Sequence, residues 1–262
     1  MATRCGGIDA ATVETVSAKA SRILKTVDAS ASGFIYLLGN VQPTIQSGPQ
    51  CGIVALQIAA SCLRVTPLPT EEQILRTAKH MGISHFGEVL SAYWMAQLAS
   101  STLNCSAEVV DISKLDCREI VDLLLANGPL LIPYDSDKNF EPCLKGGSSA
   151  HWCVVVGLFI VELEVSDPIV YPKWITDDQI VKAKVAAFKN DQMQIFVVAM
   201  QGKSRHPGVW NLHALKDSNS NLFNLGRMGL TATKDKEFKW SNGGLADLRG
   251  KIVALKAFCE SN

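Results

Sequence analysis

No stretch of this 262-residue chain is apolar for long. The longest near-continuous run, Trp152 to Val161, is ten residues, about half of the roughly 20 that a membrane-spanning helix needs. No sign of charge dominates: 25 Lys and Arg balance 25 Asp and Glu. Without a basic excess or a basic run, a nucleic-acid binder that relies on neutralising phosphates is excluded. The opening residues, MATRCGGIDAATVETVSAKAS, lack the apolar core of a signal peptide. The final CESN lacks the aliphatic positions of a prenylation motif. The expected location is cytoplasmic, with neither membrane nor nucleic acid as a partner. Neither GxGxxG nor GxxxxGK[ST] occurs, so there is no nucleotide signal. The eight cysteines, at 5, 51, 62, 105, 117, 143, 153 and 259, include no CxxC pair, which removes zinc-ribbon and thioredoxin-type motifs. With no secretory signal, a disulfide framework is not expected. His80 and His85 straddle a helix end and make no metal site, and no cofactor is implied.

What is present is core material. The chain is 47% hydrophobic and 19% charged, which excludes intrinsic disorder, and its length suits one large domain or two small ones. Residues 1–33, rich in Ala, Ser and Thr, read as an arm or short helix; residues 34–262 read as the main domain. CGIVALQIAASCLR at 51–64 is apolar on nearly every side of a helix, the mark of a buried central helix. Further helices fit Thr70 to Met81, Glu88 to Ser100, and Asp116 to Ala126 before Asn127-Gly128-Pro129. Then the period changes. Leu130–Tyr134, His151–Val161, Gln194–Met200 and Lys251–Phe258 read as strands. Helices dominate the first half and strands the second, an α+β arrangement with a mostly antiparallel sheet.

Cys51 falls at the first turn of the buried helix. Unpaired N–H groups and the positive end of the dipole there favour a thiolate. Gly52 would leave room for a substrate carbonyl, and Gln46 offers an amide N–H as a second oxyanion donor beside the Cys51 N–H. The competing interpretation is a buried cysteine at the start of a core helix. His151 weighs against that: it follows the loop KGGSSA and opens an apolar strand in the other half, placed to take the Cys51 proton across a cleft. A base needs an acceptor to fix its tautomer. Asp167, in the turn SDP, and Gln201, at the end of the next strand, are the candidates, with Asp167 slightly ahead.

Together, QSGPQCGIVAL at 46–56, LLLANGPLLIPYD at 123–135, AHW at 150–152, QGKSRHPGVW at 201–210 and SNGGLADLRGKIVAL at 241–255 resemble the actin maturation proteases. These are cysteine aminopeptidases similar to papain-like and bacteriocin-leader peptidases. The resemblance covers about residues 41–258. It implies a papain-like fold, Cys51 as nucleophile, His151 as base and Gln46 as oxyanion donor. It also implies removal of an N-acetylated Met or Cys from immature actin. Because the exposed actin N-terminus is acidic, Lys203 and Arg205 are expected to bind its carboxylates, with Gln201 beside them. The first 40 residues contain no proline, which argues against recruitment of profilin through a Pro-rich extension. The rival functions are an isopeptidase, amidase or acyl transferase on the same fold, and a non-catalytic actin-binding module.

Overall fold

The longest strand, β4 (Ala150–Glu162), carries HWCVVVGLFIV. Such β-branched and aromatic residues suit a strand buried on both faces. The computed structural model of the protein describes residues 8–27, 31–39, 41–163, 171–187, 192–224 and 238–258, and places β4 inside an eight-stranded sheet. β3 (Leu130–Asp135) pairs with the first half of β4 and β1 (Ser32–Leu37) with the second, while β6 (Met193–Gln201) runs along its other side. β8 (Lys251–Ala257) and β2 (Cys105–Asp111) extend the sheet beyond β3. β7 (Gly208–Asn211) extends it beyond β6, and β5 (Lys173–Trp174) beyond β1. The described pairings are antiparallel except β1 with β5. Two registers matter for function: Tyr134 lies opposite His151 on β3 and β4, and Cys153 lies opposite Gln201 on β4 and β6.

Helices cover both faces of this sheet. On one, α1 (Ala10–Val27), α2 (Cys51–Cys62), α3 (Glu71–His80) and α4 (Ala92–Leu103) pack Val16, Ile53, Ile74 and Met95 with Trp152 and Val154 of β4. On the other, α5 (Cys117–Asn127), α6 (Asp178–Ala187) and α7 (Leu212–Ser220) pack Ile120, Val181 and Leu215 with Cys153 and Val155. The α+β class stands, but the helices do not gather into one half. β4 is apolar on alternate residues of both faces, and each face needs a cover.

Local chemistry explains the helix starts. Thr70 accepts from the Gln73 N–H at 3.2 Å, and Gln73 Oε1 accepts from the Thr70 N–H at 2.8 Å, a complete capping box. The helix expected from Glu88 begins instead at Ala92, because Ser91 caps it and Glu88 serves the preceding loop. α1 is a full element of 18 residues whose Val16, Ala20 and Leu24 are buried in the first core. Trp174 Nε1 donates to Ser17 Oγ at 3.1 Å, and Lys19 Nζ donates to the Pro207 carbonyl at 2.7 Å. The expected junction between residues 33 and 34 falls inside β1. β2, α6, β7 and α7 are elements that the sequence pattern did not reveal. Among the described residues, no helix is long and apolar enough to cross a membrane.

Candidate active site

Nine of the twelve residues of α2 are buried, so the helix runs through the core against β4. Gly48, with φ +67°, makes the turn that feeds it. Gln50, at the N-cap, provides no side-chain cap, which leaves first-turn N–H groups free for another acceptor. The Cys51 thiol takes that place: the N–H groups of Trp152, Gly52 and Cys51 itself act on it and, with the Lys203 ammonium, draw its pKa down. Burial acts more strongly and pushes the thiol above its ordinary value. The helix terminus alone therefore does not produce a resting thiolate, because desolvation outweighs the dipole.

His151 is only 9% exposed. Burial first, and the Lys203 charge second, push its pKa down to about 4, while a side-chain hydrogen bond with Gln201 acts in the opposite direction. Both shifts favour the uncharged forms, a neutral imidazole and a thiol. His151 Nε2 is buried without a hydrogen-bond partner. The ring meets Tyr134 edge-on, with centroids 6.0 Å apart, and the Tyr134 hydroxyl is tied to the Phe140 carbonyl at 2.9 Å.

Cys51 and His151 line one cavity of about 270 Å³, together with Gln46, Trp152, Lys203 and Glu88. Gln46 is anchored at its backbone, where its N–H donates to the Gly202 carbonyl at 2.8 Å, and its Nε2 donates to the Gly48 carbonyl at 2.6 Å. Gln201 is 4% exposed, and its Oε1 accepts from the Lys203 N–H at 2.6 Å. It thus holds the Lys203 turn while bonding His151. Arg205 is exposed and does not line the cavity. Asp167 lies outside the described residues, so of the two candidate partners of His151 the contact on hand is with Gln201.

Gly52 does not leave room for a substrate. A Cβ there would lie 2.9 Å from Met95 Cε and 3.3 Å from Trp152 Cδ1 and Val89 Cβ. The glycine lets α2 approach β4 and the Val89 loop.

Two buried carboxylates escaped the sequence reading. Asp135, fully buried at the end of β3, accepts from the N–H groups of Lys145 (2.7 Å), Gly147 (2.9 Å) and Ser149 (3.1 Å). It folds the loop that delivers His151. Glu88, 3% exposed and itself on the cavity wall, accepts from four donors behind it. The clue in the sequence was an acidic residue inside an apolar stretch, IPYD and GEVL. That clue does not distinguish a buried acceptor from a solvated one.

Comparison with known proteins adds the context. A family model described as actin maturation protease-like, C-terminal domain, matches residues 41–159. The actin maturation protease of Danio rerio is 34% identical over 229 residues, covering 84% of this chain and 74% of that protein. That of Mus musculus is 32% identical over 202 residues, with 72% and 55% covered, and that of Drosophila melanogaster 30% over 212 residues, with 80% and 66% covered. The chain therefore spans about half to three quarters of the length of these relatives. Among solved structures, a C39-like peptidase structure from Bacillus anthracis aligns with a TM-score of 0.42 at 10% identity, over 84% of this chain and 98% of that one. UfSP from C. elegans aligns at 0.32 and 12% identity, over 69% and 37%. The extent and level of the sequence identity place this chain in the actin maturation protease family.

Proposed function

We propose that this chain is a cysteine peptidase that removes an N-acetylated first residue from an immature actin N-terminus. Actin comes from the names of its relatives. The observation that carries the chemistry is the meeting on one cavity of two groups: Cys51, at the first turn of a buried helix without a side-chain cap, and His151, whose buried Nε2 has no partner.

The neutral pair defines the proton path. As Cys51 Sγ attacks the carbonyl carbon of the acetylated residue, the His151 imidazole accepts the thiol proton. In this reading the Cys51 N–H and the Gln46 amide hold the oxyanion, the Gln46 Nε2 through the hydrogen it does not give to the Gly48 carbonyl. When the C–N bond breaks, the imidazolium returns its proton to the departing amine, leaving a thioester on Cys51. His151 then takes a proton from water as the water attacks the thioester; when the C–S bond breaks it returns that proton to Cys51 Sγ, and the acetylated residue leaves as its carboxylic acid. Gln201 keeps the imidazole oriented. An acetylated residue has no free α-amine, so no carboxylate is needed to bind one. Glu88 agrees with that, since its oxygens are already engaged by protein donors. Lys203, on the cavity wall, is the group to meet the acidic residues that follow the cut; Arg205, off the wall, has no part in this reading.

The test is intact-mass analysis of N-acetylated immature actin incubated with the wild type or with Cys51→Ala. Loss of one acetylated residue with wild type alone is expected. An unchanged mass with wild type, while Cys51 still reacts with an alkylator, would sink the substrate assignment.

A further inference from the structure

Glu88 is 3% exposed and gathers four donors. Its Oε1 accepts from the His85 N–H at 2.9 Å and from the Lys239 N–H at 2.9 Å; its Oε2 accepts from the Phe86 N–H at 2.7 Å and from Ser84 Oγ at 3.3 Å. Three of those donors belong to the loop just before Glu88. The fourth lies 151 residues further along the chain. Backbone N–H groups aimed at a carboxylate make strong, charge-assisted bonds, and in a buried place they are costly to break. Glu88 thus joins two distant segments at one point on the cavity wall.

The neighbour of that fourth donor is Phe238. Its ring meets Phe86 edge-on, with centroids 6.3 Å apart, and it lines the cavity with Val89, Leu90 and Leu248. The same loop is seated against the nucleophile's turn: Gly87 adopts φ +113°, and a Cβ there would collide with Gln50, the residue before Cys51. Trp152 Nε1 donates to the Val89 carbonyl at 2.8 Å, which fixes the loop to the strand of His151. The wall is rigid on one side, and on the other it ends in an aromatic ring held by one carboxylate. Among the described lining residues, Lys203 is the sole Lys or Arg, and Glu88 has no oxygen left for a ligand. The cavity is therefore polarised. An acidic chain fits the Lys203 side, and a large apolar, uncharged side chain fits the Phe238 side.

We infer that Phe238, with Val89 and Leu90, forms the subsite for a large apolar side chain on the residue to be released, and that Glu88 is the positioning residue that builds it by holding the Lys239 N–H. Glu88 touches no substrate. It acts through Phe238. The inference rests on the proposed cysteine peptidase reading and adds residues that set its selectivity.

The test separates the two. Purified wild-type, Phe238→Ala and Glu88→Gln proteins are treated with N-acetyl-methionyl and N-acetyl-alanyl chloromethyl ketones, and alkylation of Cys51 is followed by intact mass. This labels the nucleophile whether or not actin is the substrate. Wild type should react faster with the methionyl reagent by roughly 10-fold or more, the usual effect of a few methylenes in an apolar pocket. Phe238→Ala should bring that ratio close to one. Glu88→Gln should lower the ratio in the same direction. A merely structural role for Glu88 would slow both reagents equally and leave the ratio unchanged. An unchanged ratio in Phe238→Ala, which is only half-buried and expected to fold, would overturn the subsite even if Glu88→Gln fails to fold. Labelling with the expected selectivity but no actin cleavage would overturn the substrate and spare the subsite. No labelling of Cys51 by either reagent would overturn both.

Discussion

At the residue scale, burial and the Lys203 charge act on His151 in the same direction and hold its pKa at about 4. In the unfolded chain the imidazole protonates near 6.5. Between those values the unfolded state binds more protons, so stability rises with pH across the window. The contribution is complete above about 6.5 and is lost as pH falls towards 4, on the order of 3 kcal/mol in all. Urea denaturation of wild type and His151→Phe from pH 4 to 7 should show this slope in wild type only. The base is active when neutral, so kcat/KM should fall with an acid limb near pH 4. Removing the Lys203 charge makes the imidazolium less unfavourable. Lys203→Gln should therefore move that limb to higher pH; an unmoved limb would separate Lys203 from the site's electrostatics. Cys51→Ala should lower turnover by roughly 10⁴ or more. The positions of Cys51 and His151 on a helix start and a strand start were legible because helix and strand periods differ. Their pKa directions were not: the dipole argument favoured a thiolate, and desolvation, a property of the packed core, reversed it.

At the element scale, α2 and β4 meet at Gly52, and the loop into β4 is folded on Asp135. Gly52→Ala puts a methyl against Met95, Trp152 and Val89. It should destabilise the protein by about 1–3 kcal/mol through overpacking, read as a lower denaturation midpoint with unchanged m-value. Asp135→Ala leaves three N–H groups of the 145–149 loop without their acceptor. A loss of about 3 kcal/mol or more is expected from buried donors left unpaired. The same variant should reduce kcat more than it raises KM, since the loop delivers His151. Helix starts with a capping box, as at Thr70, were legible from four residues. The start of α4 was misplaced because Glu88 looks like a first-turn acid. Only its contacts reveal that it accepts from the loop and from Lys239 instead. β2, α6, β7 and α7 lacked a strong period, as short or half-exposed elements do.

At the scale of the whole molecule, α1 belongs to the core. Val16, Ala20 and Leu24 are buried, and Lys19 holds the Pro207 carbonyl in the turn that follows Gln201 and Lys203. Burying each large apolar side chain is worth about 1.5–3 kcal/mol. Deleting residues 1–27 should therefore lower the thermal midpoint sharply, whereas Lys19→Ala should be mild; a truncated protein as stable as the full chain would remove α1 from the core. The residue types and their order determined the α+β class, the buried central helix, the long apolar strand and the two residues proposed as nucleophile and base. Periodicity and punctuation by Gly, Pro and capping residues are local signals that a single chain displays in full. Only the tertiary structure decided that both faces of the sheet are covered and that Gln201 meets His151. It also decided that Glu88 joins segments 151 residues apart and that Gly52 serves packing. Each of these depends on which distant groups share a buried volume, and desolvation and hydrogen-bond satisfaction act on that volume rather than on neighbours in sequence.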